Sequence, residues 1–273
     1  MQERGVGPLP IALSSLGVLV IAALMAMTGR GGGNFYVPLL VASGLPMHQA
    51  ATTGQLVLVA TALAAVVVFQ GKRVVDWKLA LVIDPPTDVM AFVGGYFAHA
   101  LGGSTLKFIF SGLLVLAGFL MLRPVRERGG HRAPGIGLWR RHFGDHDYVV
   151  NLWLALPITA ATGLVAGMVG ISGGSFKVPL MVLACGVPMR VAVGTSSAMV
   201  AATALMGFLG HSAAGDLDAR VAVPLALVGV VGGLLGSRFS LRTRPATLKR
   251  LFAYTTLAAA LFMAANALFS RGG

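Results

Sequence analysis

Residues 31–55 read GGGNFYVPLLVASGLPMHQAATTGQ, and residues 172–196 read SGGSFKVPLMVLACGVPMRVAVGTS. Gly32, Gly33, Phe35, Val37, Pro38 and Leu39 of the first stretch recur as Gly173, Gly174, Phe176, Val178, Pro179 and Leu180 of the second. After a single inserted residue the match resumes: Gly44, Pro46, Met47, Ala50 and Thr53 recur as Gly186, Pro188, Met189, Ala192 and Thr195. Thr105-Leu106-Lys107 recurs at that same offset as Thr247-Leu248-Lys249. The chain is an internal duplication, and each copy carries a glycine-broken apolar segment. In a membrane chain, broken segments at corresponding positions of two halves point to a transport site between the repeats.

Composition supports the membrane reading. Hydrophobic residues make up 56% of the chain and charged residues 11%, against about 25% charged in a soluble domain. Mean hydropathy is +0.82. Apolar runs recur that are long enough for a hydrocarbon core of about 30 Å. The first, Pro10–Met27, lacks a strongly basic leader and runs into the first glycine motif, so it reads as a span and not as a cleaved signal. The net charge of +12 would suggest nucleic acid in a soluble protein. Here the cations gather in short loops between spans, where they orient the chain and meet anionic lipid. A nucleic-acid partner needs an exposed basic domain, and none is expected. The single cysteine, Cys185, excludes an intrachain disulfide and an all-cysteine metal site.

Hydropathy places spans at about 10–28, 34–48, 50–70, 79–101 and 105–122, repeated at about 149–170, 175–189, 191–210, 221–237 and 248–268. The second span of each half is short, begins after glycines and contains Pro38 or Pro179. The linker carries Arg123, Arg126, Arg128, Arg132, Arg140 and Arg141 against Glu127, Asp145 and Asp147, which places it in the cytoplasm. Counted back from the linker, the loop with Lys72, Arg73 and Lys78 falls inside; counted forward with a full crossing of the short span, so does the loop with Arg238, Arg242, Arg244, Lys249 and Arg250. The loop with Asp216 and Asp218 then falls outside. Charge thus favours five crossings per half. An odd number inverts the halves about an axis in the membrane plane, the arrangement associated with alternating access. The expected architecture is an all-α integral membrane protein of two inverted-topology repeats. Residues 1–122 form the first, 123–148 a basic cytoplasmic linker, and 149–273 the second; the second helix of each repeat is broken at a glycine-rich loop.

The motifs suit an anion. Arg30-Gly31-Gly32-Gly33-Asn34 and Ser172-Gly173-Gly174-Ser175 are short loops that open helices. Glycine lets backbone approach a ligand closely, and a helix start offers unpaired N–H groups and a positive dipole end. The same glycines also permit close helix packing. Arg30 and Lys177 are the nearest cations. An intramembrane arginine offers a planar fork for oxyanion oxygens, while one at a span end snorkels to the interface. Lys177 falls near the outer face by the loop count. Gln55, Thr195 and Ser196 lie on the segments that follow the glycine loops and offer an amide and hydroxyls to substrate or to neighbouring helices. Asp84 and Asp88 flank Pro85-Pro86-Thr87 inside the fourth span, with Ala226 and Val230 at the equivalent second-half positions. They suit proton coupling, and the proline pair equally breaks the helix there. His48 and His99 read as interface or packing residues. No GxxxxGK[ST] loop, HExxH or CxxC is present, so neither ATP-driven transport nor an enzyme is expected, and no cofactor or metal is required.

GRGGGNFYVPLL followed by an A-x-x-T segment, repeated as GISGGSFKVPLMV with AVGTSS, resembles the TauE/SafE sulfite exporter family. The resemblance covers nearly the whole chain, including the LKRLFAYTTLAAAL tail at 248–261. Arg30 departs from it, in a slot often filled by a small or apolar residue. The resemblance implies a bacterial inner-membrane permease that exports small sulfur-containing anions such as sulfite, sulfoacetate or other organosulfonates by secondary transport. The alternative is a cation or metal permease that uses Asp84 and Asp88.

Overall fold

The computed structural model describes residues 8–100, 136–169, 173–213 and 217–269, with scattered helical positions between 105 and 122. Ser172 lies outside the described residues. The first half runs through α1 (Pro8–Ala26), α2 (Gly33–Ala42), α3 (Met47–Gly71), α4 (Trp77–Ile83) and α5 (Pro85–Tyr96), which ends in a 3₁₀ turn, Phe97–Ala100. A two-stranded hairpin, β1 (Leu138–Phe143) and β2 (His146–Asn151), precedes the second half. That half comprises α6 (Leu152–Val169), α7 (Gly174–Pro179) with a π turn over Leu180–Ala184, α8 (Met189–Ala213), α9 (Ala219–Arg242) and α10 (Pro245–Phe269).

Among the described residues, α3, α6, α8 and α9 are each long and apolar enough to cross a bilayer, and Leu13–Ala26 is a shorter apolar helix. The outer surface agrees. Val223, Leu227, Val231 and Leu235 repeat every turn of α9 and are 43–65% exposed. The opposite stripe, Gly229, Gly232, Gly233, Gly236, Ser237 and Ser240, is turned inward. Large apolar side chains outward and small residues inward is the pattern of a helix that packs on helices and faces lipid. The chain is a multi-pass membrane protein.

Two predicted spans come out shorter. The sequence gives 34–48 and 175–189, whereas the helices cover Gly33–Ala42 and, with the π turn, Gly174–Ala184. At 1.5 Å per residue, ten residues of α2 reach about 15 Å, half of a hydrocarbon core. Gly44 (φ 98) and Gly186 (φ 69) end these helices in the left-handed region, which glycine enters without a Cβ penalty. The predicted fourth span, 79–101, is two helices. Asp84 both closes α4 and precedes α5, because Pro85 and Pro86 have no N–H to continue α4 but suit a first turn.

Helices from the two halves interleave. The fourth span of each half packs against the first and third helices of the other: α9 on α1 and α3 and, with the predicted fourth span of the first half split into α4 and α5, α5 on α6 and α8. The contacts repeat in detail. A Cβ on Gly94 of α5 would stand 2.1 Å from Leu164 O, and a Cβ on Gly236 of α9 would stand 2.0 Å from Ala23 O. Gly236 and Ala23 are the duplication equivalents of Gly94 and Leu164.

The hairpin is absent from the sequence reading, which has a linker there. Its strands pair from Leu138↔Asn151 to Phe143↔His146 around a two-residue turn, Gly144-Asp145. Tyr148 and Val150 on one face of β2 are buried against Leu79, Ile83 and Met181.

Candidate functional site

The two glycine loops meet. A Cβ on Gly174 would lie 2.7 Å from Val200 Cγ2, 3.1 Å from Arg30 Cα and 3.3 Å from Gly29 O. A Cβ on Gly31 would lie 2.4 Å from Leu58 Cδ1 and 3.1 Å from Val200 Cγ1. Leu58 and Val200 fall near the midpoints of α3 and α8, two helices of 25 residues each. The junction therefore sits at mid-depth, wedged between one long helix from each half. Gly31 and Gly32 (φ 67 and 104) give the first loop its turn, and α2 starts at Gly33 with Asn34 in its first turn. Gly173 precedes α7, and Gly174 and Ser175 begin it.

Arg30 is 1% exposed. Its Nε donates to Thr28 Oγ1 (3.2 Å) and its Nη2 to Met25 Sδ (3.6 Å). Nη1 and Nη2 also donate to Thr256 and Thr255 of α10. The side chain does not snorkel. It fastens the first glycine loop to the last helix, with hydroxyls as acceptors.

Lys177 is fully buried and meets Met199 and Thr203 near the midpoint of α8, whereas the loop count places it near the outer face. Its Nζ forms an ion pair with Asp84 and donates to Thr203 Oγ1 (2.6 Å) and Met199 O (3.2 Å). Thr203 Oγ1 is also 2.8 Å from Asp88 Oδ1. The structure thus brings Asp84 and Asp88 onto one lysine from the other half. This cluster touches the second glycine loop, since a Cβ on Gly173 would lie 3.0 Å from Lys177 Cε and 3.4 Å from Thr87 Cγ2.

Of the remaining sequence-selected residues, Ser196 reaches the first glycine loop, whereas Thr195 meets the start of α4 and Gln55 faces α8. Ser196 Oγ donates to Gly29 O at 2.8 Å. Thr195 Oγ1 accepts from Asp76 N at 2.9 Å. Gln55 is fully buried on α3 and faces Gly207 of α8, whose Cβ would stand 2.6 Å from its Nε2.

Asp76 is a residue that the sequence reading passed over. It caps α4 by accepting from Leu79 N (3.1 Å), and it receives Arg141 Nη2 (2.8 Å), Arg141 Nε (2.9 Å) and the Tyr148 hydroxyl from the hairpin. Burial pushes its carboxyl up, and the hydrogen bonds from Arg141, Tyr148 and Leu79 outweigh that, leaving it below the ordinary aspartate range. Beside this hub opens a cleft of about 500 Å³, with Arg73, Arg190, Asp145, His146 and Met189 on its walls. An Asp followed by an apolar helical run is a cap signal, and it stood in the sequence unused.

The description "Sulfite exporter TauE/SafE" belongs to a family model that matches residues 14–263. The chain belongs to this family. The TauE/SafE chain is 27% identical to a probable membrane transporter protein of Xylella fastidiosa strain 9a5c, over 89% of its length and 91% of the relative's. It is 25% identical to the probable membrane transporter protein YunE of Bacillus subtilis strain 168, over 85% of its length and 90% of the relative's. It is also 28% identical to the probable membrane transporter protein MamO of Magnetospirillum gryphiswaldense, over 91% of its length and 44% of that longer protein. No solved structure matches. The family and these relatives make the TauE/SafE chain a membrane transporter.

Proposed function

We propose that this protein exports sulfite or small organosulfonate anions across the bacterial inner membrane, with the linker and hairpin on the cytoplasmic side. The observation that carries the reading is the meeting of the two glycine loops at mid-depth with the buried Arg30 beside it. Substrate binds between Arg30, Gly31, Gly32, Gly33 and Asn34 on one side and Ser172, Gly173, Gly174 and Ser175 on the other. Backbone N–H groups supply donors to the oxyanion, and the arginine fork joins them by exchanging its threonine hydroxyls for substrate oxygens. Ser196 holds the first loop through Gly29 O, and Thr195 and Gln55 lie on the helices that follow the loops. The arginine-bearing cleft beside the hairpin gathers anions before entry.

Gly174 and Arg30 now stand in van der Waals contact, so the loops must part to admit a sulfonate. The exchange of packing between halves is what a two-fold relation would produce, and the cation distribution favours an axis in the membrane plane. Rocking about it exposes the junction to either face. The competing reading, a cation permease, needs open carboxylates, and Lys177 already faces Asp84.

The test is thermal stability of the purified protein with sulfite, sulfoacetate, taurine, sulfate, phosphate and divalent metals. A ligand specific to the folded state raises the melting temperature by mass action, about 2.7 kcal/mol at a hundredfold excess over Kd. Stabilisation by sulfite or sulfoacetate, lost in Arg30→Met, is expected. Stabilisation by metals alone would overturn the reading.

A further inference from the structure

Lys177, Thr203 and Met199 have counterparts in the first half. By the duplication these are Tyr36, Thr61 and Val57, and the contacts correspond. Tyr36 Oη is 3.0 Å from Thr61 Oγ1, and Thr61 donates to Val57 O at 2.8 Å. Likewise Lys177 Nζ is 2.6 Å from Thr203 Oγ1, which is 2.9 Å from Met199 O. Where the second site faces Asp84 and Asp88, the first has Ala226 and Val230 at the equivalent positions. The frame is therefore built once without charge and once with two carboxylates and a lysine. The charges are not what the packing needs.

The charged copy has a mismatch and a means of absorbing it. Two aspartates and one lysine carry one excess negative charge, which is expensive away from water. One proton removes the excess. Thr203 accepts from Lys177, and its single hydroxyl proton has two acceptors within reach, Asp88 Oδ1 at 2.8 Å and Met199 O at 2.9 Å. With Asp88 ionised, the hydroxyl donates to the carboxylate. With Asp88 protonated, the acid donates to Thr203 and the hydroxyl turns to Met199 O. Both protonation states are satisfied with no heavy atom displaced. Asp88 is partly exposed whereas Asp84, Lys177 and Thr203 are buried, so Asp88 is the member of the cluster through which a proton can enter.

From this geometry we propose that the Asp84–Lys177–Thr203–Asp88 cluster binds and releases one proton per transport cycle and couples it to the junction of the glycine loops. Lys177 lies one turn beyond Gly173 on the helix that opens at the second loop. Parting of the loops draws its ammonium away from Asp84. The carboxylate pair then takes a proton from water onto a carboxylate oxygen, and the returning ammonium expels it to water on the other face. Among the described residues, no other charged side chain enters the cluster from the packed elements. α6 carries no titratable group, Lys78 of α4 and Arg190 of α8 lie toward the ends of their helices, and His211 of α8 donates to Gly167 O at 2.9 Å. The coupling half of this proposal rests on the transport reading above; the proton binding does not.

The experiment has two readouts on reconstituted protein. The first is infrared spectroscopy across about pH 5 to 9, the range over which a coupling group must titrate. A protonated-carboxyl band that titrates in the wild type, vanishes in Asp88→Asn and persists in Thr61→Val is expected. In Lys177→Met it should persist to higher pH. The second is accumulation of labelled sulfoacetate, whose charge is constant over that range, with membrane potential clamped at zero. A one-unit pH gradient supports about tenfold accumulation at one proton per anion; Asp88→Asn should give none while keeping sulfoacetate-dependent thermal stabilisation. Absence of any titrating carboxyl overturns the proposal, as does gradient-driven accumulation in Asp88→Asn. A titrating carboxyl with no sulfoacetate movement or binding overturns the transport reading and leaves the proton site standing.

Discussion

Gly94→Ala and Gly236→Ala should damage the fold equally, although nothing in ordinary hydropathy marks either position. The added methyl would stand 2.1 Å from Leu164 O in the first case and 2.0 Å from Ala23 O in the second. A carbon next to a carbonyl oxygen rests at about 3.3 Å, so each helix pair must part by a little over 1 Å. The obstacle is backbone, so no rotamer change relieves it. The α5–α6 pair cannot tilt aside either, because a Cβ on Gly163 would stand 2.3 Å from Thr87 O and one on Gly167 2.1 Å from Ala91 O, so the backbones are already close along the same seam. Overpacking costs about 1–3 kcal/mol where neighbours can adjust, and a rigid seam belongs at the upper end, about 3 kcal/mol. At about 2–4 °C per kcal/mol for a chain near this size, the melting temperature falls by about 6–12 °C. Gly71→Ala is the control. Nothing lies within 4 Å of its Cβ position, and alanine favours the helix by up to about 1 kcal/mol, so stability should hold or rise. The assay is thermal unfolding in detergent or bicelles, followed by tryptophan fluorescence. Equal stability of all three variants, or loss at one seam only, would refute the exchanged packing of the halves.

Two further outcomes follow from the buried charges. Lys177→Met should cost about 3–5 kcal/mol, because it leaves Asp84 buried without its cation. Adding Asp84→Asn should recover much of that loss, and a double-mutant cycle with no coupling energy would show the pair to be incidental. For Asp76, the lowered folded-state value means its stabilisation is present above the unfolded aspartate range and is lost as pH falls through that range. Wild type should therefore lose stability toward pH 3 more steeply than Asp76→Asn, which starts lower; parallel pH profiles would remove Asp76 from the account.

The duplication was legible because its glycines and prolines sit at matched spacing, and the helices after α2 and α7 followed from it. Asp84 was legible as a helix break because two prolines follow it. The hairpin was not read, although Gly144-Asp145 between short alternating runs is a turn signal, because the count of arginines dominated that segment. Lys177 was misplaced for a different reason. Its depth depends on how far a short helix reaches into the bilayer, and its partner Asp84 lies in the other half of the chain. Arg30 fell between two readings, since only tertiary structure brings Thr255 and Thr256 of the last helix to it. Single-residue chemistry was thus visible in sequence, whereas pairings across the two halves had to come from the packing.

The central claim is that a small sulfonate passes through the junction of the two glycine loops. The direct measurement is exchange of labelled sulfoacetate in proteoliposomes for wild type and Gly174→Leu, with matched insertion. Leucine at 174 must push against Val200, Arg30 Cα and Gly29 O, so exchange should be saturable in wild type and abolished in the variant. Wild-type exchange in Gly174→Leu would contradict the account.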